Sequence, residues 1–319
     1  MSDTPIALID VLVCTYRRPA LLLKTLDGIA RAAATLGPVR IVVVDNDHGQ
    51  SARAPVAGWR APATVHVDVA VSYFSQPVQN ISLTRNLAFD HATAPWIAMI
   101  DDDEVPDPGW LAALLATAEG HGADVVFGPV IAEFDPGAPL WAKHGPVFQR
   151  RRFSTGTAVP LREARSGNVL LRASRLTPDG VRFEPVLGLS GGEDSEFFLR
   201  LHQRGYRMVW CDEACVREWT PPSRTNVPWL LTRTFRIGSV DAFNRRRQRR
   251  FGGVMVGLLK HSVFVVQGTL LAAVCAPFAR TRCVHGLCRA ALGAGYWYGL
   301  LVGPYQEYRQ AAAPAGRPS

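Results

Sequence analysis

Over its first 130 residues the chain alternates short apolar, β-branched runs with stretches whose apolar positions recur every three or four residues. The run "IALIDVLVCTY" from residue 6 predicts a strand ending in a polar loop. "RPALLLKTLDGIARAAATL" predicts a helix, with Pro19 near its first turn and Gly37 just past its end. "VRIVVVDND" predicts a second strand, again ending in acids, Asp45 and Asp47. Two buried strands joined by one helix make a βαβ unit, so the sheet is expected to be parallel with a right-handed crossover. "TVHVDVAV" predicts a third strand, "SLTRNLAFDHA" a helix, "PWIAMI" another buried strand, "WLAALLATAEGHG" a helix and "ADVVFGPV" a further strand. The fold class is α/β with a mostly parallel, Rossmann-like sheet.

Beyond about residue 133 the regularity weakens. "EFDPGAPLWAKHGPVFQRRRFSTGTAVP" is long, irregular and rich in Trp and Arg, as functional lids and binding loops are. "SGNVLLRASRL" then predicts a strand, "GGEDSEFFLRLHQRGY" a glycine loop entering a helix, and "RMVWCDEACVREW" a closing strand. Three acid-bearing loops are thus expected to leave one sheet: at Asp45, at Asp101 to Asp103, and at Glu193 and Asp194. After the block "RRRQRR" come two apolar segments, "GGVMVGLLKHSVFVVQGTLLAAVCAPFA" and "AALGAGYWYGLLVGPY", separated by "RTRCVHGLCR".

A chain of 319 residues with this composition buries a large core. Its formal charge of +8 is uneven, because Arg245, Arg246, Arg247, Arg249 and Arg250 cluster. Such a block suits nucleic acid or an anionic membrane surface, and the apolar sequel favours the membrane. The N-terminus has no basic region ahead of its apolar run, and Asp10 interrupts that run, so no signal peptide is expected. The six cysteines do not make a disulfide framework and read as reduced, cytoplasmic thiols. Cys211 with Cys215, or Cys283 with Cys288, lack a partner pair at zinc-ligand spacing.

The candidate chemistry begins where "PWIAMI" runs into Asp101, Asp102, Asp103 and Glu104. Charges at the point where a buried strand emerges lie where open α/β sheets bind ligands. A solvated acidic turn is the plain alternative, since Pro106, Asp107, Pro108 and Gly109 follow. The loop from Cys14 to Arg18 sits between a strand and a helix N-terminus. It offers flat Tyr16, two guanidinium groups and free backbone amides to a nucleotide.

Together, "VLVCTYRRP", "VVVDND", "TRNLAF", "IDDDEVPDPGWL" and "GGEDSEFFLRL" resemble, in order, glycosyltransferase family 2, the inverting nucleotide-sugar transferases of the GT-A fold. The resemblance spans roughly residues 6 to 240 and points to bacterial members that build surface polysaccharides. It implies that Asp101 and Asp103 form the family's Asp-x-Asp pair. Asp103 would hold Mg2+ or Mn2+, Asp101 would lie near the ribose or metal-bound water, and Asp102 would turn away. Thr15, Tyr16 and Arg17 would embrace the nucleoside. Asp45 would approach the base or ribose, or else cap a helix, as Asn46 or Asp47 could. Arg85 and Asn86 would lie near the nucleotide, or be solvated helix residues. Asp194 would be the base, with Glu193 the neighbouring candidate and Gly191 and Gly192 leaving room. Arg224, Arg233 and Arg236 would meet the diphosphate, and Trp219 would shape the acceptor pocket or join the core. Residues 1–244 would form the GT-A domain, 1–130 its nucleotide-binding half and 131–244 its acceptor half. Residues 245–319 would be the basic block and helical tail.

The chemistry agrees. A nucleoside diphosphate leaves poorly unless its charge is neutralised, and inversion needs one base for the acceptor hydroxyl. The expected donor is UDP-linked and the acceptor a glycan or lipid-linked. A nucleotidyltransferase would carry a glycine-rich phosphate loop after the first strand, and "CTYRRPALL" has none. A nucleic-acid-binding protein rests on the arginine block alone. Ser262 to Ala279 is about long enough to span a bilayer, whereas Ala290 to Tyr305 is short. A spanning hairpin would put Arg280, Arg282 and Arg289 outside, against the positive-inside rule. An interfacial or re-entrant attachment at the cytoplasmic face is expected, with Tyr296, Trp297 and Tyr298 at headgroup level. A packed helical pair covering the catalytic domain is the alternative.

Overall fold

The first apolar runs form strands buried on both faces. β1 (Ile9–Thr15), α1 (Pro19–Ala33) and β2 (Val39–Asp45) make the expected βαβ unit, parallel from Ile9↔Val39 to Thr15↔Asp45. The computed structural model describes residues 8–143, 147–247 and 251–306; residues 6 and 7 of the first run, and Arg249 and Arg250 of the basic block, lie outside them. The chain divides into two compact units, Met1–Gly188 with Glu193–Thr225, and Leu189–Gly192 with Asn226–Ser319.

In the first unit there follow α2 (Arg53–Gly58), β3 (Val69–Ser75), α3 (Ile81–Asp90), β4 (Trp96–Asp101), β5 (Glu104–Pro106), α4 (Trp110–Gly120), β6 (Val125–Phe127) and β7 (Val130–Phe134). Then come α5 (Leu140–Lys143), β8 (Asn168–Arg172), α6 (Ala173–Asp179), α7 (Glu193–Gln203), β9 (Met208–Trp210) and β10 (Val216–Thr220). The main sheet has the order β3-β2-β1-β4-β8-β6-β9, parallel except for β8, which runs antiparallel to β4 and β6. β4 pairs with β1 up to Cys14↔Asp101, so Thr15, Asp45 and Asp101 reach the same carboxyl edge. Alternate residues of β1 serve two cores. Val11 and Val13 pack with Leu22, Ile29, Trp110 and Leu114, whereas Leu12 packs with Val42, Met99, Phe127, Phe197 and Phe198.

Several expectations are corrected. The third strand begins at Val69, after the polar interruptions His66 and Asp68. "ADVVFGPV" is two strands in two sheets, broken at Gly128–Pro129. A Cβ on Gly128 would sit 2.3 Å from the Ala214 carbonyl oxygen, and Pro129 has no N–H for a ladder. "RMVWCDEACVREW" likewise divides into β9 and β10. A second sheet, β5-β10-β7, was not foreseen. As expected, Glu193 and Asp194 follow the glycine loop and form the first turn of α7, while β8 is followed directly by α6.

The second unit contains α8 (Val227–Arg247), α9 (Phe251–Cys275) and α10 (Arg280–Leu301). α8 is continuous through residue 244, where the arginine block suggested an edge. Glycines set the helix contacts. A Cβ on Gly268 would meet Ala290 N at 2.5 Å and Gly286 O at 2.6 Å, and one on Gly286 would meet Ala272 N at 2.6 Å. On Gly238 it would strike the Leu292 carbonyl oxygen, and on Gly295 that of Phe235. The backbones therefore touch with no side chain between them. His261 is buried and stacked on Tyr296, with centroids 4.2 Å apart. Gly252–Cys275 is long and apolar enough to cross a membrane. Val256, Leu259, Val263, Val266, Leu270 and Val274 recur at helical spacing along α9 and are exposed.

Candidate active site

The buried strand β4 ends in carboxylates that go to different neighbours. The Asp101 side chain is 47% exposed, and its backbone N–H donates to Glu104 Oε2 at 3.1 Å. Asp102 is buried; it accepts from Thr15 Oγ1 at 2.7 Å, and Arg18 lies 3.4 Å away. Burial pushes its carboxyl up to about 7, against the pull of Arg18. Asp103, also buried, is gripped by Arg18 at 2.8 Å and Arg224 at 3.3 Å. From α1, Thr25 Oγ1 lies 2.7 Å from the Glu104 carbonyl and 3.0 Å from that of Asp102, pinning the turn.

The small sheet adds a second layer of charge. Glu104 pairs in register with Glu218 of β10. Glu104 is buried, and burial, reinforced by Asp101 and Glu218, holds its carboxyl well above the ordinary range. Glu218 is raised for the same first reason, with Arg150 opposing at 3.6 Å. Arg224 bridges the layers, 3.2 Å from Glu218 and 3.3 Å from Asp103.

The first loop uses its arginines differently. Arg17 has a φ of 55°, turns to Asp47 at 3.0 Å and is largely exposed. Arg18 is the one that reaches the acids. Tyr16 lies beneath the Arg17 guanidinium. Asp45 is wholly enclosed. Its carboxylate accepts from the N–H groups of Asp47 and Ala52, each at 2.9 Å, and from the Tyr73 hydroxyl at 3.0 Å. It organises the loop floor beneath residues 46 to 52. Asn46 completes that floor through the carbonyls of Gln76 and Val78 and the Asn80 N–H.

Arg85 and Asn86 on α3 are neither solvated nor alike. Asn86 clasps the Phe183 backbone, donating to its carbonyl at 2.9 Å and accepting from its N–H at 2.8 Å. Arg85 is buried and ion-pairs with Glu193, with Asp101 at 3.6 Å. Burial pulls its pKa down, but the charges of Glu193 and Asp101 outweigh this and raise it. Asp194, half-buried in the first turn of α7, accepts from its neighbour's N–H at 2.7 Å. Arg85 thus links Asp101 at the end of β4 to Glu193, the residue before Asp194, in the first turn of α7.

Arg233 and Arg236 belong to the second unit. Arg233 lies over Trp229, and Arg236 is buried and donates to the Ser190 carbonyl at 3.3 Å. Trp219 on β10 is 40% exposed and not a core residue. Arg150 and Glu218 had no assigned part in the sequence reading. An acid within the strand pattern "CVREWT" was the available signal for Glu218.

Among the described residues no three His, Cys, Asp or Glu side chains are set to hold a metal together. The donor set is two hard carboxylates two residues apart, Asp101 and Asp103, one of them half-exposed. That fits a Mg2+ or Mn2+ ion shared with a diphosphate, the usual habit of such ions, and does not fit an all-protein cage.

Carboxylates and arginines at the carboxyl edge of a mostly parallel sheet, with further acids opening a facing helix, make this a GT-A type α/β domain. The sequence matches the family described as Glycosyl transferase family 2 over residues 10–169, and Glycosyl transferase family group 2 over residues 96–307. The chain belongs to glycosyltransferase family 2 and is a glycosyltransferase. It is 36% identical over 304 residues to the succinoglycan biosynthesis protein ExoM of Rhizobium meliloti (strain 1021), covering 92% of this chain and 93% of that one. The fold is shared with the mannosyltransferase PcManGT from Pyrobaculum calidifontis, solved with GDP-Man and Mn2+, at a TM-score of 0.62 and 17% identity over 93% of this chain and 88% of that one. S. aureus TarS 1-349 in complex with UDP-GlcNAc gives a TM-score of 0.51 and 16% identity over 92% of this chain and 90% of that one.

Proposed function

We propose that the protein transfers a sugar, with inversion, from a UDP-linked donor to a glycan or lipid-linked acceptor in polysaccharide biosynthesis. The observation carrying this is the Arg85 bridge from Asp101 at the end of β4 to Glu193, next to Asp194 at the start of α7, beside Arg18 and Arg224 against Asp103. Thr15, Tyr16 and Arg17 line the nucleoside side. Arg18 and Arg224 bring positive charge to the place where the diphosphate departs. Asp101 and Asp103 would hold Mg2+ or Mn2+, whose chemistry is to neutralise the departing diphosphate. Asp194 takes the acceptor hydroxyl proton as that oxygen bonds to the anomeric carbon. The bond to the diphosphate breaks on the opposite face, and the departing nucleoside diphosphate keeps the bonding electron pair. The ExoM name supports the polysaccharide role, and the donors bound by PcManGT and TarS support the donor class.

The second unit is assigned to the cytoplasmic face of the membrane. Support comes from the exposed apolar stripe of α9, preceded by Arg245, Arg246 and Arg247 and followed by Arg280 and Arg282. A screen of UDP-, GDP- and dTDP-sugars for metal-dependent hydrolysis or protection against heating tests the donor. NMR of the product must show the anomeric configuration opposite to the donor's. A retained configuration overturns the mechanism.

A further inference from the structure

Arg85 is a single buried guanidinium facing acids from two elements. Its Nη1 donates to Glu193 Oε1, its Nη2 lies 3.6 Å from Asp101 Oδ1, and its ring partner Phe183 is 5.3 Å below. Phe183 is itself fixed. Its ring stacks on Phe197 of α7 at 4.2 Å, and its backbone is clasped by Asn86. Glu193 is 6% exposed, and its Oε2 has no hydrogen-bond partner. A buried carboxylate in that state stays put only while its one charged partner does. Glu193 and Asp194 are the first two residues of α7, so whatever fixes Glu193 also fixes the carboxylate next to it. Asn80 caps α3 by accepting from the Leu83 N–H at 3.0 Å, which makes α3 a rigid mount.

We infer that Arg85 is a positioning residue that ties the start of α7 to the end of β4, holding Asp194 at a set place relative to Asp101, and that it does not bind the nucleotide. A guanidinium suits the task because its planar fork reaches two carboxylates at once, whereas an ammonium acts as one point charge. The inference rests on the proposed role of Asp194 as base.

The test is a comparison of Arg85→Met, Arg85→Lys and Asp194→Asn in the full chain, with UDP as the binding probe and the donor from the nucleotide-sugar screen for turnover. Arg85→Met is expected to lower kcat about 100-fold while the donor KM and the UDP Kd stay within about two-fold, the pattern of an interaction felt only in the transition state. Arg85→Lys, which restores the charge but not the fork, should recover about ten-fold of that loss. If Arg85→Met does not fold, Arg85→Met with Glu193→Gln removes both buried charges together and should fold, with the same low kcat and unchanged UDP Kd. A ten-fold or larger rise in UDP Kd with kcat unchanged makes Arg85 a nucleotide ligand and overturns the inference. So does normal turnover in either form lacking Arg85. Normal turnover in Asp194→Asn would instead overturn the base assignment, so the two failures are distinguishable.

Discussion

Asp45→Ala separates two physical roles for the same carboxylate. In the structure its oxygens receive two backbone N–H groups and the Tyr73 hydroxyl, at 2.9 to 3.0 Å, in a site without solvent contact. Each hydrogen bond to a charged group is worth about 1.5–3 kcal/mol, and removing the acceptor strands three buried donors. Because the three share one acceptor their losses do not add, and a cost of about 3–5 kcal/mol is expected. For a folding unit of this size that lowers Tm by about 6–20 °C, at roughly 2–4 °C per kcal/mol. Asp45→Asn keeps one accepting oxygen but turns an amide toward the remaining donors, so it should recover only part of the loss. Circular dichroism melts with and without UDP make the measurement. UDP affinity should fall as well, as a consequence of the loosened floor beneath residues 46 to 52. An Asp45→Ala protein with unchanged Tm and selectively lost UDP binding would refute the reasoning and return Asp45 to the nucleotide.

Asp103→Asn should abolish most transfer with Tm within a few degrees, because Arg18 and Arg224 retain Asp102 and Glu218 as partners; turnover that survives both the change and excess EDTA would remove the metal from the mechanism. Asp194→Asn should cut transfer by about 10²–10⁴-fold with UDP Kd nearly constant, as calorimetry beside a turnover assay would show. Val256, Leu259 and Leu270 changed together to Asp should leave Tm unaltered yet abolish flotation with vesicles containing anionic lipid, and retained flotation would move attachment elsewhere. Gly268→Leu should cost about 1–3 kcal/mol or more by wedging backbones whose atoms lie about 2.5 Å from the new Cβ, which thermal melting detects.

The parallel core strands were legible in the sequence because both their faces are buried, which leaves continuous β-branched runs in β1, β2 and β4. The small sheet was not. β5 is three residues long with Glu104 and Pro106 at its ends, a pattern that resembles a turn until β10 arrives from more than a hundred residues away. β6 and β7, like β9 and β10, run on in sequence and part only in space, where Gly128 and the Asp212 to Cys215 turn switch sheets. Asp101, Asp103 and Asp194 stood out as candidates because acids there follow a buried strand or open a helix. The choice of Arg18 over Arg17 depends on one left-handed residue, which no side-chain pattern reports. The work of Arg85 and Asn86 depends on Phe183 and Glu193, both about a hundred residues distant. Asp45 was ambiguous in the sequence because an acid ending a parallel strand has the same local signature whether it faces a ligand or the underside of its own loop.

The glycine contacts among α8, α9 and α10 bear on how the tail can tolerate a change of surroundings. Helices that associate by hiding large apolar side chains from water have no reason to stay together in hydrocarbon, where lipid tails satisfy those side chains equally well. Backbones that touch at Gly238, Gly268, Gly286 and Gly295 are joined by close van der Waals fit, which is as strong in oil as in water. On the membrane attachment proposed above, contacts of this kind would hold the three helices together where water no longer does.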